Sequence, residues 1–152
     1  MKMVSACLAG INCRYDGENK ENMVLKNLVI QGEAVALCPE VMGGLATPRL
    51  PAEIVGGDGE AVWCGQARVI DQAGNDVTKA YLAGAEKALK MLQQLGIDTV
   101  ILKEKSPSCG ACHIYDGTFT GKTKAGLGVA AALFKRNGIN VRSDENFNEQ
   151  TG

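Results

Sequence analysis

Aromatic side chains make up only 5% of this 152-residue sequence, so a core has few large anchors to pack around. Charge of one sign is not in excess either: 16 basic side chains face 17 acidic ones. That balance offers no nucleic-acid or membrane surface. Long hydrophobic runs are absent as well. The longest, Val129 to Phe134, is far too short to span a bilayer, and the apolar run after Met1-Lys2-Met3-Val4-Ser5 is too short for an export signal. The reading is therefore a cytoplasmic protein with no membrane and no nucleic acid among its partners. In that compartment the six cysteines are expected as metal ligands or catalytic groups rather than disulfides.

Apolar residues, at 45%, suffice for a core, and the length suits one domain. Glycine is abundant, at 19 residues, which implies many tight turns. In chain order, residues 2–7 read as a strand ending at Cys7. Residues 21–30 read as a helix with Val24, Leu28, Met23 and Ile30 turned inward and Gly32 closing it. Residues 33–37 read as a second buried strand ending at Cys38, and 41–51 as a proline-broken loop. Residues 53–55 and 61–63 read as a hairpin, with 68–71 a further short strand. Cys64, inside this section, is expected to be structural. Thr78 to Leu95 is the clearest helix, with Thr78 as its cap and Tyr81, Ala85, Ala88, Leu92 and Leu95 on one core-facing stripe. A third strand spans 98–102, a last helix 124–137 and a fourth strand 138–142. Strands alternating with helices predict an α/β fold, a small, open, mostly parallel sheet with helices on both faces (a Rossmann-like three-layer arrangement) and an inserted β-hairpin. The domain is expected to occupy 1–142, leaving 143–152 as a polar, frayed tail.

The chemistry concentrates in Lys103-Glu104-Lys105-Ser106-Pro107-Ser108-Cys109-Gly110-Ala111-Cys112-His113, which follows the third strand and holds the only histidine. Cys7, Cys38 and Cys109 each follow a different strand. In a parallel sheet those ends lie along one edge, where open α/β sheets build their sites. Three thiolates around one crevice suit zinc or an iron–sulfur cluster. A structural zinc needs a fourth ligand, which Cys13, Cys112 or His113 can supply, whereas a three-cysteine cluster leaves one iron open. Two other motifs are weaker. Cys109 to His113 matches a c-type haem attachment pattern, which would leave Cys7 and Cys38 without a role, and Cys109/Cys112 match a thiol redox pair. Gly117-Thr118-Phe119-Thr120-Gly121-Lys122-Thr123 resembles a phosphate-binding loop one residue too short between its glycines. The plainer reading is a turn capping the last helix.

The set Ser5-Ala6-Cys7 with Gly10, Cys13, Arg14-Tyr15-Asp16-Gly17, then Cys38-Pro39-Glu40 with Gly44, Pro48-Arg49, and Ser106-Pro107-Ser108-Cys109-Gly110 resembles the thiouracil desulfidase family over roughly residues 3–142. The resemblance is to that family's core domain. It implies an oxygen-sensitive 4Fe–4S cluster on three cysteines, here Cys7, Cys38 and Cys109. The implied activity is the non-redox removal of sulfur from a thiolated pyrimidine or related small thio-compound, the open iron taking the sulfur while water replaces it on the ring. Glu40 is then a candidate acid–base group, and Ser108, with Ser106 second, a candidate to orient the water or bond a cluster sulfur. Arg14, Arg49, Lys103 and Lys105 are candidates to offset the cluster's charge or hold an anionic substrate group. Cys13, Cys112 and His113 stand as extra or substitute ligands. The competing reading is a non-catalytic zinc or iron binding or sensing module, or a thiol redox protein.

Overall fold

The computed structural model describes residues 1–147. Along the chain run β1 (Lys2–Ser5), a 3-10 turn (Ala6–Ala9), α1 (Met23–Ile30), β2 (Ala34–Leu37), α2 (Pro39–Met42), β3 (Ala52–Val55), α3 (Gly59–Trp63), β4 (Arg68–Asp71), α4 (Thr78–Leu95), β5 (Thr99–Leu102), β6 (His113–Tyr115), β7 (Thr123–Ala125), α5 (Val129–Arg136) and β8 (Asn140–Ser143).

Four strands form a parallel sheet in the order β2-β1-β5-β8. Successive side chains of a strand point to opposite faces, and the core divides accordingly. Met3, Val100 and Leu102 pack with Ala85, Ala88 and Leu92 of α4 and with Ala131 and Phe134 of α5. Val4, Ile101 and Ala34 pack on the other face with Leu25 of α1, Leu8 and Phe147. This is the open α/β arrangement with helices on both faces.

Several element readings need correction. In α1 the buried residue is Leu25, while Met23, Val24 and Ile30 are exposed. Asn22 sets this phase by accepting from the Leu25 amide through its side chain at 3.2 Å. Residues 61–63 are helical, not strand: Asp58 caps α3 through the Ala61 amide at 3.0 Å. The partner of β3 is β4, paired antiparallel, so the inserted hairpin has a helix in its connection. Cys64 follows α3 and is exposed. In α4 the stripe is buried except for Leu95, half exposed at the last turn. Val77, not Thr78, is the cap. The Thr78 hydroxyl instead accepts from the Val69 amide at 2.9 Å and ties the helix to β4. The last helix starts at Val129, because Thr123–Ala125 pairs with β6 in a second small hairpin. Finally, order continues past residue 142. Ser143 ends β8, and Phe147 is buried against the α1 face. The rest of the expected tail, 148–152, lies outside the described residues.

Candidate active site

The register Ser5↔Leu37 and Val4↔Ile101 sets the carboxyl ends of β2, β1 and β5 side by side. Cys7 lies in the 3-10 turn after β1, Cys38 is the N-cap of α2 after β2, and Cys109 lies in the loop after β5. A cavity of about 500 Å³ opens at this edge, and all three thiols line it, together with Cys13, Glu40 and Ser106. All six cysteines are free thiols.

The thiols shape one another's chemistry. A bond from Cys38 favours the Cys13 thiolate, but the bond to Cys7 and burial outweigh it and push Cys13 up to about 11. Cys38 is pushed up strongly by its bond to Cys13 and by burial. Burial pushes Cys109 up to about 12, with the Ser5 and Ser108 hydroxyls favouring its thiolate. Burial and these mutual bonds favour the neutral thiols, and a bound metal centre would release their protons.

Glu40, in α2, is held at three points. Arg49 bonds its Oε2 through Nε at 3.1 Å and also through Nη2, and the Ser106 hydroxyl donates to its Oε1 at 3.2 Å. Ser106 Oγ in turn accepts from the amides of Ser108 at 3.1 Å and Cys109 at 3.0 Å. Burial opposes the charge on Arg49, but the Glu40 carboxylate more than offsets it. A chain of contacts therefore runs from Arg49 through Glu40 and Ser106 to the backbone of Cys109.

The loop that carries Cys109 is fixed from two sides. Its carbonyls cap α5: Pro107 accepts from Val129 at 2.8 Å and Ser108 from Ala130 at 2.9 Å. The first amides of that helix are thus taken, and Gly117–Thr123 is not a phosphate loop leading into it. From the other side Glu104, 3% exposed, accepts from the amides of Cys112 and His113, each at 2.8 Å.

The expected residues separate accordingly. Cys7, Cys38, Cys109, Cys13, Glu40, Ser106, Arg14, Arg49, Lys103 and Lys105 all meet at the cavity. Arg49 donates to Glu40, to the Ala46 carbonyl and to Thr47 Oγ1. Arg14 bonds Asp16 at 3.2 Å, and Lys103 lies 3.8 Å from Asp144. Ser108 does not line the cavity; Ser106, expected as the second choice, does. Cys112 and His113 are exposed and do not line it, so neither stands with the three thiols. Glu104, Tyr81 and Glu53 belong to the site without any signal in the sequence that marks them. Tyr81 reads as one more residue of a core stripe, yet it lines the cavity. Its hydroxyl is raised well above the usual tyrosine value by burial and by the charge of Glu40.

The donor set fits an iron–sulfur cluster. Cys7, Cys13, Cys38 and Cys109 bring soft sulfur donors to one cavity, which is the donor type that iron–sulfur clusters take. Among the described residues, no three His, Cys, Asp or Glu side chains close around one point in the manner of a single-ion site. A cluster spreads its cysteines over several irons, and the three strand-end thiols face one cavity.

Comparison with known proteins gives three findings. The model of the 2-thiouracil desulfurase family matches residues 3–146. The chain is 48% identical over 149 residues to the uncharacterised protein YbbK of Bacillus subtilis (strain 168), covering 98% of this chain and 99% of that one. It is also similar to the solved structure of the 4Fe–4S-dependent thiouracil desulfidase TudS. That match has a TM-score of 0.85 and 45% identity, over 97% of this chain and 92% of the other. Among the described residues, no helix is long and apolar enough to cross a membrane.

Proposed function

The chain belongs to the 2-thiouracil desulfurase family and is an iron–sulfur-dependent desulfidase; from that premise we propose that Cys7, Cys38 and Cys109 hold its 4Fe–4S cluster and that Glu40 handles the proton. The observation that carries this reading is the convergence of the three strand-end thiols and Glu40 on one cavity. When bound, the cluster supplies an iron without a protein ligand, a soft Lewis acid for the substrate's sulfur. The substrate is a small molecule, a thiolated pyrimidine.

Replacing C=S by C=O at one carbon leaves the oxidation state of the ring unchanged. As the water oxygen bonds to the carbon the C–S bond breaks, the sulfur leaves at the sulfide level, and the two protons that water loses balance it as hydrogen sulfide, so no electrons are gained or lost. In this reading Glu40 takes up a proton from the water. Arg49 and Ser106 fix both of its oxygens at the cavity wall, and a carboxylate so oriented accepts that proton at Oε1 or Oε2. Ser106 keeps Glu40 in register with the Cys109 backbone. Arg14, Lys103 and Lys105 bring positive charge to a centre built from thiolates.

Turnover of 2-thiouracil to uracil by anaerobically reconstituted protein tests the reading. Glu40→Gln should lower kcat by about 10²- to 10⁴-fold while keeping the cluster's absorption. An inactive wild-type protein with an intact cluster, or a Glu40→Gln variant of full activity, would count against it.

A further inference from the structure

The turn joining β6 to β7 packs into neither core cluster, yet its backbone is held in an uncommon shape. Phe119 has φ +59°, a left-handed conformation that a bulky residue adopts only when its surroundings impose it. Glu53 on β3 imposes it. Its Oε1 accepts from the amides of Gly117 at 2.9 Å and Phe119 at 3.1 Å, and the residue is 8% exposed. Gly117 lies so close to β3 that a Cβ there would meet the Ile54 carbonyl at 2.6 Å. Of the three phenylalanines, Phe134 and Phe147 sit in the two core clusters and Phe119 sits in neither. Half-buried, Phe119 lines the cavity that holds the cysteines.

A fixed aromatic face recognises a flat heteroaromatic ring without reading its hydrogen-bonding edge. Resting on the desulfidase reading, we propose that Phe119 is the residue that stacks on the substrate's pyrimidine ring, and that Glu53 is the positioning residue that holds it in place. The other rings at the cavity are less suited. The Arg14 guanidinium already lies over Tyr15, 5.4 Å from the ring centroid. Tyr81 is 3% exposed in α4, and Tyr115 belongs to the regular strand β6. The stacked base sits in the same cavity as Glu40, so ring placement and proton transfer are set by different residues.

The test uses cluster-loaded enzyme and two readouts, calorimetric binding of uracil and steady-state kinetics with 2-thiouracil. Phe119→Leu, which keeps apolar bulk and removes the ring, should weaken uracil binding and raise KM about tenfold. Its kcat should change by less than about twofold, with iron content and absorption spectrum as in the wild type. Phe119→Tyr should bind as the wild type does. Glu53→Ala should give the same split between KM and kcat, and Glu53→Gln, which keeps an acceptor oxygen, should reverse most of it. Unchanged uracil affinity in Phe119→Leu would overturn the proposal. So would a wild-type enzyme that binds no uracil, or loss of iron in Phe119→Leu, which would make Phe119 a support of the site instead. Phe119-dependent uracil binding by an enzyme that turns over no thiolated pyrimidine would leave the stacking role standing and remove the desulfidase reading.

Discussion

The buried carboxylate of Glu104 holds the cysteine loop by backbone amides alone, and this gives it a pH signature. Burial would raise its pKa, but the Ser143 hydroxyl and the amides of Cys112, His113 and Ala111 outweigh burial and place it below the ordinary glutamate value of 4.5. A group whose folded value is depressed contributes stability that is complete above the unfolded value and is lost as pH falls through the folded one. The urea midpoint of the wild type should therefore fall more steeply than that of Glu104→Gln as pH drops below about 4.5. Parallel losses in the two proteins would contradict this role. The difference in legibility between Glu104 and the cysteines is physical. Each of Cys7, Cys38 and Cys109 follows an apolar strand, so strand order alone brings them to one edge. Glu104 stands between Lys103 and Lys105, and nothing in such a charged run marks the residue that folds under the loop. Phe119 is equally hidden, since its conformation depends on Glu53, far away in sequence. Ser108 and Ser106 cannot be ranked from sequence for a similar reason: the loop turns Ser106 toward Glu40 and buries Ser108.

At the scale of elements, the site depends on how closely α2 approaches α4. A Cβ on Gly43 would lie 2.0 Å from the Ala80 carbonyl, and one on Gly84 would lie 1.9 Å from the Pro39 carbonyl. The two glycines let α2, which carries Glu40 and is preceded by Cys38 at its N-cap, lie directly on the α4 backbone. Gly84→Ala gains about 1 kcal/mol in helix propensity but forces these backbones apart. Net destabilisation of roughly 1–3 kcal/mol is expected in urea melts, with reduced iron retention because Cys38 moves with α2. A more stable variant that retains its full iron content would refute the contact. The same scale explains which elements can be read. The 18-residue α4 carries enough turns for its stripe to define it. The 61–63 run is too short to separate strand from helix, and there Asp58, as a cap, decides the outcome. The three-residue strands β6 and β7 have no periodicity to detect and exist through pairing alone.

For the whole molecule, the parallel sheet divides the core into two clusters, and Cys7 and Cys13 belong to the one covered by α1. Among the described residues, α1 contributes one fully buried side chain to that face, Leu25, and Phe147 joins it from beyond the last strand. Phe147→Ala should cost about 3 kcal/mol in denaturant unfolding and should accelerate loss of the cluster in air. An unchanged midpoint would show that this face closes without it. The α/β class and the edge that bears the site follow from strand order. The closure at Phe147 does not, because a lone aromatic in a polar stretch has no pattern to set it apart from a solvated tail. The central claim, that three strand-end cysteines hold a cluster, is tested most directly by iron and sulfide content after anaerobic reconstitution of the wild type and of single Cys→Ser variants. About four iron and four sulfide per chain are predicted in the wild type and in Cys13→Ser and Cys112→Ser, lost in Cys7→Ser, Cys38→Ser and Cys109→Ser. A colourless wild type holding one zinc, or a Cys13→Ser variant that loses the cluster while Cys7→Ser, Cys38→Ser or Cys109→Ser keeps it, would contradict the claim.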